Sequence, residues 1–234
     1  MQIDQTFQKI ADFWSQRYRS EQFIWGQDPS PCARNALPRF RAWDVRRLLV
    51  LGCGYGRDAR YFAGEGIDVT AVDFAQGGLD LAQSWLGDRH GLSLRLELDH
   101  ILTLDLPDAG FDAVFSHRTL HLLMSEQGLE RGFDQIHRVL KPGGHACLSM
   151  RSPGDPSRAG STQVEGGAAE LSFRPGHKVL YLPVDRVRIL LEKRFGILEM
   201  TQMEERESMA KDYDVTLHYA IVEKQDWSEK SGDE

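Results

Sequence analysis

The sequence contains few cysteines and no long hydrophobic run. Its three cysteines, Cys32, Cys53 and Cys147, stand far apart. This number and spacing exclude a disulfide framework and a zinc-type ligand pattern, so no metal ligand is predicted. No apolar stretch reaches about 18 residues, the length of a membrane span, and the first residues lack the regions of a signal peptide. The sequence therefore predicts a cytoplasmic protein with no membrane partner.

Basic residues are fewer than acidic residues. The chain has 28 Lys and Arg against 35 Asp and Glu, a net charge of −7. Because a general polyanion binder needs clustered Lys and Arg, this balance argues against nucleic acid as a partner. A local basic rim keeps a protein or RNA substrate open, although it could equally be a solvated helix end. The rim consists of Arg39, Arg41, Arg46 and Arg47.

Apolar runs alternate with amphipathic segments along most of the chain. With 234 residues, 41% of them hydrophobic, the chain is long enough for one α/β core. The alternation predicts a doubly wound parallel sheet with right-handed crossovers. Predicted strands cover 46–51, 67–72, 92–98, 111–116 and 145–150. Predicted helices cover 58–63, about 77–87 and 126–140.

A glycine-rich turn follows the first predicted strand. Gly52, Gly54 and Gly56 let the backbone turn sharply and approach a ligand closely. Asp73 ends the next strand, 19 residues after Gly54, where nucleotide-binding α/β folds place an acid that grips ribose hydroxyls. The pattern is G-x-G-x-G followed by Arg57, not the dinucleotide fingerprint G-x-G-x-x-G. This difference argues against a nicotinamide-dependent dehydrogenase.

Four sequence blocks occur in order, and with them the chain resembles the class I S-adenosylmethionine-dependent methyltransferases. The resemblance covers about residues 46–150. It implies a Rossmann-like seven-stranded sheet, mostly parallel with a reversed C-terminal strand. It also implies S-adenosyl-L-methionine as cofactor and S-adenosyl-L-homocysteine as product. The blocks are Leu49–Gly56, Val69–Asp73, Leu106–Phe115 and Arg138–Gly144.

The N-terminal segment Trp14–Pro29 narrows the resemblance. It is similar to the W-x-x-R/K-Y…W-G-x-x-P opening of small-molecule methyltransferases of the tellurite-resistance and thiopurine type. This similarity implies a small-molecule substrate and a cap, residues 1–45, that closes over the cofactor. Within the cap, 5–19 is predicted as an amphipathic helix and 20–34 as a loop.

The C-terminal third completes the predicted single domain. Residues 46–150 form the cofactor-binding core, and 151–182 form a lid that is a long surface loop over 152–177. A helix is predicted at 183–194 and an edge hairpin from strands 197–205 and 215–222. The tail, 225–234, is predicted to be frayed.

The resemblance implies a set of cofactor contacts. The glycine turn approaches the methionine part, Asp73 binds the ribose and Phe74 packs on the adenine. Asp99 or His100 reaches the adenine amino group, with Ile101 as an apolar contact. Arg17 pairs with the cofactor carboxylate, and Trp25 or Tyr18 faces the sulfonium. The alternatives stay open: Asp73 as a helix cap, Asp99 as a solvated loop acid, and the N-terminal aromatics as plain packing.

Polar residues follow the fourth predicted strand, at the sheet edge where ligands bind. Ser116 is placed among the cofactor contacts, and His117 and His121 are candidate bases. Tyr18, Arg118 and Arg151 are candidate acceptor contacts. The Asp/Asn-Pro-Pro-aromatic block of nucleic-acid base N-methyltransferases is absent here, which counts against that chemistry. Weaker candidates for the acceptor site are Arg174, His177, Tyr181, Tyr213 and His218.

The sequence thus predicts in-line methyl transfer from S-adenosylmethionine to a small molecule by a monomer or homodimer. Two alternatives remain: a methyltransferase acting on protein or RNA, and a non-catalytic module that binds the same cofactor.

Overall fold

The computed structural model describes residues 5–87, 91–164, 168–170 and 178–225. Its strands, numbered along the chain, define two sheets. They are β1 Arg47–Leu51, β2 Asp68–Asp73, β3 Leu94–Leu98, β4 Phe111–Ser116, β5 Leu140–Arg151, β6 Thr162–Gln163, β7 Ala168–Glu170, β8 Lys178–Leu180, β9 Phe195–Arg206 and β10 Asp214–Lys224.

The larger sheet has seven strands in the order β3-β2-β1-β4-β5-β10-β9. Strands β1 to β5 pair in parallel, whereas β10 runs antiparallel to both β5 and β9. The reversed C-terminal strand lies between its neighbours, so β9 occupies the edge. The predicted Rossmann-like, mostly parallel sheet is confirmed.

Helices cover both faces of this sheet. The side chains of β1 alternate between the two faces and are therefore buried on each side. Leu49 and Leu51 join one apolar core with Phe133, and Leu48 and Val50 join the other. The helices are α1 Gln5–Glu21, α2 Pro31–Ala42, α3 Arg57–Gly64, α4 Gln76–Leu86, α5 Glu126–Val139 and α6 Val184–Glu192.

Helix α2 overlaps the predicted loop 20–34, and that prediction is wrong from residue 31 onward. Pro31 occupies the first turn, where its missing N–H has no helical partner to lose. Ser30 caps the helix, accepting a hydrogen bond at Oγ from the amide of Ala33 at 3.0 Å. The prolines that indicated a loop therefore mark a helix start.

Two further boundaries differ from the predictions. Strand β5 begins at Leu140, five residues before the predicted start, and its pairing with β4 is irregular between Phe111 and Ala113. The predicted long loop 152–177 contains β6 and β7, which join β8 in a small antiparallel sheet. Ala169 and Val179 are buried in a small cluster on one face of this sheet, and Ala168 on the other face joins the larger core. In the described part of the chain, no helix combines the length and apolarity needed to cross a membrane.

Candidate active site

Two adjoining cavities lie at the carboxyl ends of β1, β2 and β4, the edge where open α/β sheets bind ligands. With the space that is open to solvent included, the larger spans about 850 Å³ and the smaller about 350 Å³. They share a border formed by the glycine turn, the end of β2 and the segment after β4. The residues lining both are Gly52, Asp73, Phe74, Thr119 and Leu122.

The smaller cavity is mainly apolar and bounded by rings. His100 contacts Phe7 and Phe74 edge-to-face, with ring centroids 4.6 and 5.6 Å apart. Burial lowers the pKa of His100 to about 4, so the ring is neutral at neutral pH. Its Nδ1 accepts a hydrogen bond from the amide of Leu102 at 3.1 Å, which starts a short 3-10 turn and places Ile101 against the cavity.

Asp99 lines the smaller cavity, but its carboxylate is held by the chain itself. One oxygen accepts from the amide of His100 at 2.7 Å, and the other accepts from the amide of Asp105 at 2.8 Å. These bonds close the loop after β3. Asp99 therefore shapes the loop after β3, and its carboxylate, with about four acceptor positions, keeps capacity for an adenine amino group.

Asp73 is buried at the border of the two cavities. Its Oδ2 accepts from the amide of Gly54 at 2.7 Å, and its Oδ1 accepts from the amide of Ala75 at 2.8 Å. Burial raises its pKa to about 6, and these amide hydrogen bonds oppose the rise. Because a carboxylate has about four acceptor positions, capacity remains for hydroxyl donors from a ligand.

The glycine turn is packed tightly under α1 and the segment after β4. Gly52 and Gly54 have φ of +68° and +56°, a region that favours glycine. A Cβ on Gly52 would lie 2.1 Å from Oγ1 of Thr119, and one on Gly54 would lie 2.6 Å from the Tyr18 hydroxyl. Both glycines are required by sterics as well as by conformation.

Aromatic side chains form one wall of the larger cavity. Tyr18 and Trp25 both line it, with ring centroids 6.2 Å apart. Trp25 is fixed by three hydrogen bonds: its amide donates to the Tyr55 hydroxyl, its indole N–H donates to the Glu207 carbonyl at 2.7 Å, and its carbonyl accepts from Arg57. The wall therefore holds its shape without a ligand.

A buried charged network borders the aromatic wall. The Glu207 carboxylate accepts from both Arg118 and Arg151, and Arg151 also donates to Asp155 at 2.8 Å. Burial, followed by the neighbouring Arg151, lowers the pKa of Arg118. The Arg118 guanidinium lies 5.5 Å from the Trp25 ring centroid, which joins the charged side to the aromatic wall.

The two candidate bases differ in their surroundings. His121 is 4% exposed, and its Nδ1 has no hydrogen-bond partner among the described residues. Burial, then the positive charges of Arg151 and Arg118, holds its pKa well below the ordinary value. His117 instead has Nδ1 2.8 Å from Ser149 Oγ and Nε2 2.9 Å from Glu205 Oε2. Of the two, His121 is better placed to accept a hydrogen bond from a ligand.

The comparison with known proteins identifies the core. Residues 48–144 match a protein family described as a methyltransferase domain. This part of the chain is therefore similar to a methyltransferase domain. The match runs from β1 into β5 and includes the glycine turn and Asp73.

Curated relatives of the methyltransferase domain match part of their length. Malonyl-[acyl-carrier protein] O-methyltransferase of Serratia marcescens is 32% identical over 142 residues, which cover 61% of this chain and 50% of that protein. The chain spans half or less of the length of the first curated relatives it matches.

Solved structures match the fold over most of its length. A structure from work on converting a disulfide bond into a thioacetal group during echinomycin biosynthesis has a TM-score of 0.72 at 19% identity. It covers 92% of this chain and 93% of that one. The 1,6-didemethyltoxoflavin-N1-methyltransferase of Burkholderia thailandensis has a TM-score of 0.65 at 18% identity, covering 94% of this chain and 87% of that one.

Three predicted site residues of the methyltransferase domain and its cap are not among the described residues that line the two cavities. Arg17 pairs with Glu21 one helical turn away, at 2.9 Å. Ser116 is buried, and its hydroxyl donates to the Leu51 carbonyl at 3.3 Å. Gly56 has φ of +77° and starts α3. Arg17 is held by a partner on its own helix, Ser116 by a carbonyl on the neighbouring strand β1, and Gly56 by its position in the turn before α3.

The weaker candidates for the acceptor site differ in their surroundings. Arg174 and His177 lie outside the described residues. The Tyr181 hydroxyl lies 2.9 Å from Ser157 Oγ, and His218 Nε2 lies 2.8 Å from the Leu182 carbonyl oxygen. Tyr213 accepts a backbone hydrogen bond from Glu207.

Several lining residues carry no sequence signal strong enough to find them. Glu207 comes from the turn after β9, and Val179 comes from β8 in the small sheet. Phe7 belongs to the apolar face of α1, a pattern that indicates only a buried helix. Thr119 follows the polar run after β4, and its contact with Gly52 depends on the local turn.

Proposed function

We propose that the chain binds S-adenosyl-L-methionine across the two cavities and transfers its methyl group to a small-molecule acceptor. One observation carries the proposal: the apolar cavity and the larger polar-aromatic cavity meet at Asp73, below the glycine turn. The cofactor has a flat aromatic base, a ribose and a charged amino-acid end. These three parts match, in this order, the apolar cavity, Asp73 and the larger cavity.

The smaller cavity fits an adenine. Phe74 and Ile101 supply apolar surface, and the neutral His100 adds a ring edge. Asp73, at the border, would accept hydrogen bonds from both ribose hydroxyls with the lone pairs that its two amide bonds leave. The 1,6-didemethyltoxoflavin-N1-methyltransferase structure holds S-adenosylhomocysteine, which supports this assignment through the shared fold.

The larger cavity fits the methionine end and the acceptor. S-adenosyl-L-methionine supplies a methyl group already activated on a sulfonium, so the protein mainly positions the acceptor and excludes water. Tyr18 and Trp25 present aromatic surface to a positive group. Arg57, which lines the same cavity, replaces Arg17 as the nearest candidate for the cofactor carboxylate.

His121 would position the acceptor. A neutral imidazole with a free Nδ1 accepts a hydrogen bond from a hydroxyl, amine or thiol. Its low pKa makes it a weak proton acceptor, since a general base works best with a pKa near the operating pH. We therefore assign His121 to orientation first and to proton transfer second.

The alternative substrates have less support. Three of the four basic-rim arginines pair with acids: Arg39 with Glu199, Arg41 with Glu65 and Arg46 with Asp44. This pairing reduces the charge available for RNA. The Serratia relative acts on a malonyl group carried by a protein, so a small acyl group attached to a carrier belongs among the acceptors to be screened.

Calorimetric titration with S-adenosylmethionine, S-adenosylhomocysteine and NAD tests the proposal. Binding of the first two without NAD supports it, and release of S-adenosylhomocysteine is then measured against thiols, phenols, amines, carboxylates and metalloid oxyanions. NAD binding alone would overturn the cofactor assignment. Cofactor binding without turnover on any acceptor would favour the non-catalytic module.

A further inference from the structure

Three potential metal ligands from distant parts of the chain meet beside the larger cavity. Cys32 lies in the first turn of α2, His117 follows β4 and Glu205 lies near the end of β9. The Cys32 Sγ, one His117 ring nitrogen and one Glu205 carboxylate oxygen all lie within 4.8 Å of one another. Cys32 and Glu205 are 1% and 6% exposed, so the cluster is shielded from solvent.

The cluster contains polar atoms whose bonding is incomplete. His117 Nε2 lies 2.9 Å from Glu205 Oε2. Neither this Nε2 nor the second oxygen, Oε1, makes a hydrogen bond within the described ranges of the chain. Burying the second carboxylate oxygen, Oε1, without a hydrogen-bond partner is unfavourable, because it loses its contacts with water. A ligand that contacts Oε1 would relieve this cost.

Ser149 can stabilise the imidazole tautomer that a metal requires. Its Oγ accepts from the amide of Arg118 at 3.1 Å and lies 2.8 Å from His117 Nδ1. The same hydroxyl is hydrogen-bonded to the Cys32 thiol group. When its proton points to that sulfur, Nδ1–H of His117 is the donor to Oγ, and the Nε2 lone pair faces the Glu205 carboxylate. Metal-binding histidines are commonly oriented in this way through their second nitrogen.

We propose that Cys32, His117 and Glu205 bind a Zn²⁺ ion. Zinc takes thiolate, imidazole and carboxylate ligands at about 2.0–2.3 Å, which places the ligand atoms of a tetrahedral site about 3.3–3.8 Å apart. The observed separations, all within 4.8 Å, are about 1 Å or less longer than these, so the cluster is close to the geometry of a bound site. The Cys32 S–H bond breaks as the S–Zn bond forms, and the proton passes to solvent.

Three protein ligands leave one coordination position of a tetrahedral zinc ion open. Met203 Sδ lies 3.3 Å from Cys32 Sγ, so a further sulfur atom lies beside the cluster. The ion would tie α2, β4 and β9 together beside the acceptor end of the cavity. The sequence predicts no metal because the three ligands are far apart along the chain, and the fold brings them together.

Zinc binding is measured on the full chain after treatment with a chelator. We expect calorimetry with ZnCl₂ to give one ion per chain, with proton release. Cys32→Ser and Glu205→Gln are each expected to weaken binding by about tenfold or more. Cys147→Ser is the matched control, because Cys147 is also a buried thiol but lies in β5 outside the cluster. This control is expected to bind zinc as the wild type does.

Cobalt provides a second readout that does not depend on enzymatic activity. Co²⁺ bound to the wild type is expected to show thiolate charge-transfer absorption that Cys32→Ser lacks and Glu205→Gln retains in weakened form. Far-UV circular dichroism establishes that each variant folds. A folded wild type that binds no zinc would overturn the proposal, as would an unchanged affinity in Cys32→Ser, which indicates ligands elsewhere. Neither result bears on cofactor binding.

Discussion

Tyr18 lies directly against Gly54: a Cβ on this glycine would be 2.6 Å from the Tyr18 hydroxyl oxygen. The contact joins helix α1 to the glycine turn. Gly54 also donates its amide to Asp73 at 2.7 Å. One glycine therefore links α1, the turn and the carboxylate at the border of the two cavities.

Gly54→Ala is expected to destabilise the protein and to weaken S-adenosylhomocysteine binding, because the added methyl group displaces Tyr18. Gly66→Ala is the matched control: Gly66 also has a positive φ, +85°, but a Cβ there meets open space. We expect Gly66→Ala to lower the free energy of unfolding by only about 1 kcal/mol, the cost of placing alanine at this backbone conformation. Thermal unfolding and calorimetry measure both effects.

Adding Tyr18→Phe to Gly54→Ala separates the clash from the backbone strain. Without the hydroxyl, the nearest Tyr18 atom to the new Cβ is Cζ at 3.2 Å. The double variant should therefore recover part of the lost stability. If Gly54→Ala and Gly66→Ala proved equally destabilising, the contact with Tyr18 would have no steric importance.

The core could be predicted from the sequence because its signals are local. Apolar runs such as Leu48–Leu51 require burial on both faces, and the glycine turn with Asp73 fixes the ligand edge between two strands. Each signal lies within one βα unit, and the order of units determines the parallel sheet. The family resemblance supplied Phe74 and Ile101, and the polar run after β4 supplied His121; all three line the cavities.

Long-range contacts account for what the sequence did not predict. Arg17 has the right charge for a carboxylate, yet Glu21 lies one turn away and holds it. Glu207 reaches the cavity only because the turn after β9 folds back on Trp25. The narrower similarity to tellurite-resistance and thiopurine enzymes remains a prediction, as do the cytoplasmic location and the oligomeric state.

Asp73→Asn is expected to weaken S-adenosylhomocysteine binding by about tenfold or more, since an amide accepts fewer hydroxyl hydrogen bonds than a carboxylate. Calorimetric titration measures the change. Asp73→Ala is the poorer variant, because it leaves the buried amides of Gly54 and Ala75 without an acceptor and reduces stability as well. Equal affinities of wild type and Asp73→Asn would remove Asp73 from the ribose site.

Cofactor affinity is expected to fall as the pH drops below about 6. Burial raises the pKa of Asp73 from 3.8 to about 6 in the free protein, and ribose hydroxyls donate to the ionised form. Protonation therefore opposes binding. Titrations with S-adenosylhomocysteine at pH values from about 5 to 8 measure this dependence, and Asp73→Asn should flatten it. A wild-type affinity constant across that range would contradict the assignment.

Stability of the free protein should respond to Asp73 in the opposite direction. Its pKa in the folded state is above the unfolded value, so its contribution to stability is present below pH 3.8 and is lost as the pH rises through about 6. Denaturant unfolding of wild type and Asp73→Asn at several pH values isolates this contribution. A difference between the two that did not vary with pH would rule it out.

Glu207→Gln is expected to reduce the free energy of unfolding by about 3–5 kcal/mol, the usual effect of breaking a buried ion pair. The variant leaves Arg118 and Arg151 close together without their shared carboxylate. Glu126→Gln is the control, because Glu126 pairs with exposed Arg186 and such pairs contribute little. Denaturant unfolding compares them, and similar losses would show that the Glu207 network is not a stabilising element.

His121 should affect turnover more than cofactor affinity, because it lies in the larger cavity and does not border the apolar one, where the adenine is proposed to bind. With the first acceptor that supports turnover, His121→Ala is expected to lower kcat/KM by about 100-fold, the low end for a positioned proton acceptor. His121→Gln separates the two roles, since the Gln carbonyl accepts a hydrogen bond but takes up no proton. Recovery of most of the loss by Gln, mainly through KM, would establish orientation. A Gln variant as slow as Ala, with kcat rising as the pH passes through a single ionisation, would instead make His121 the base.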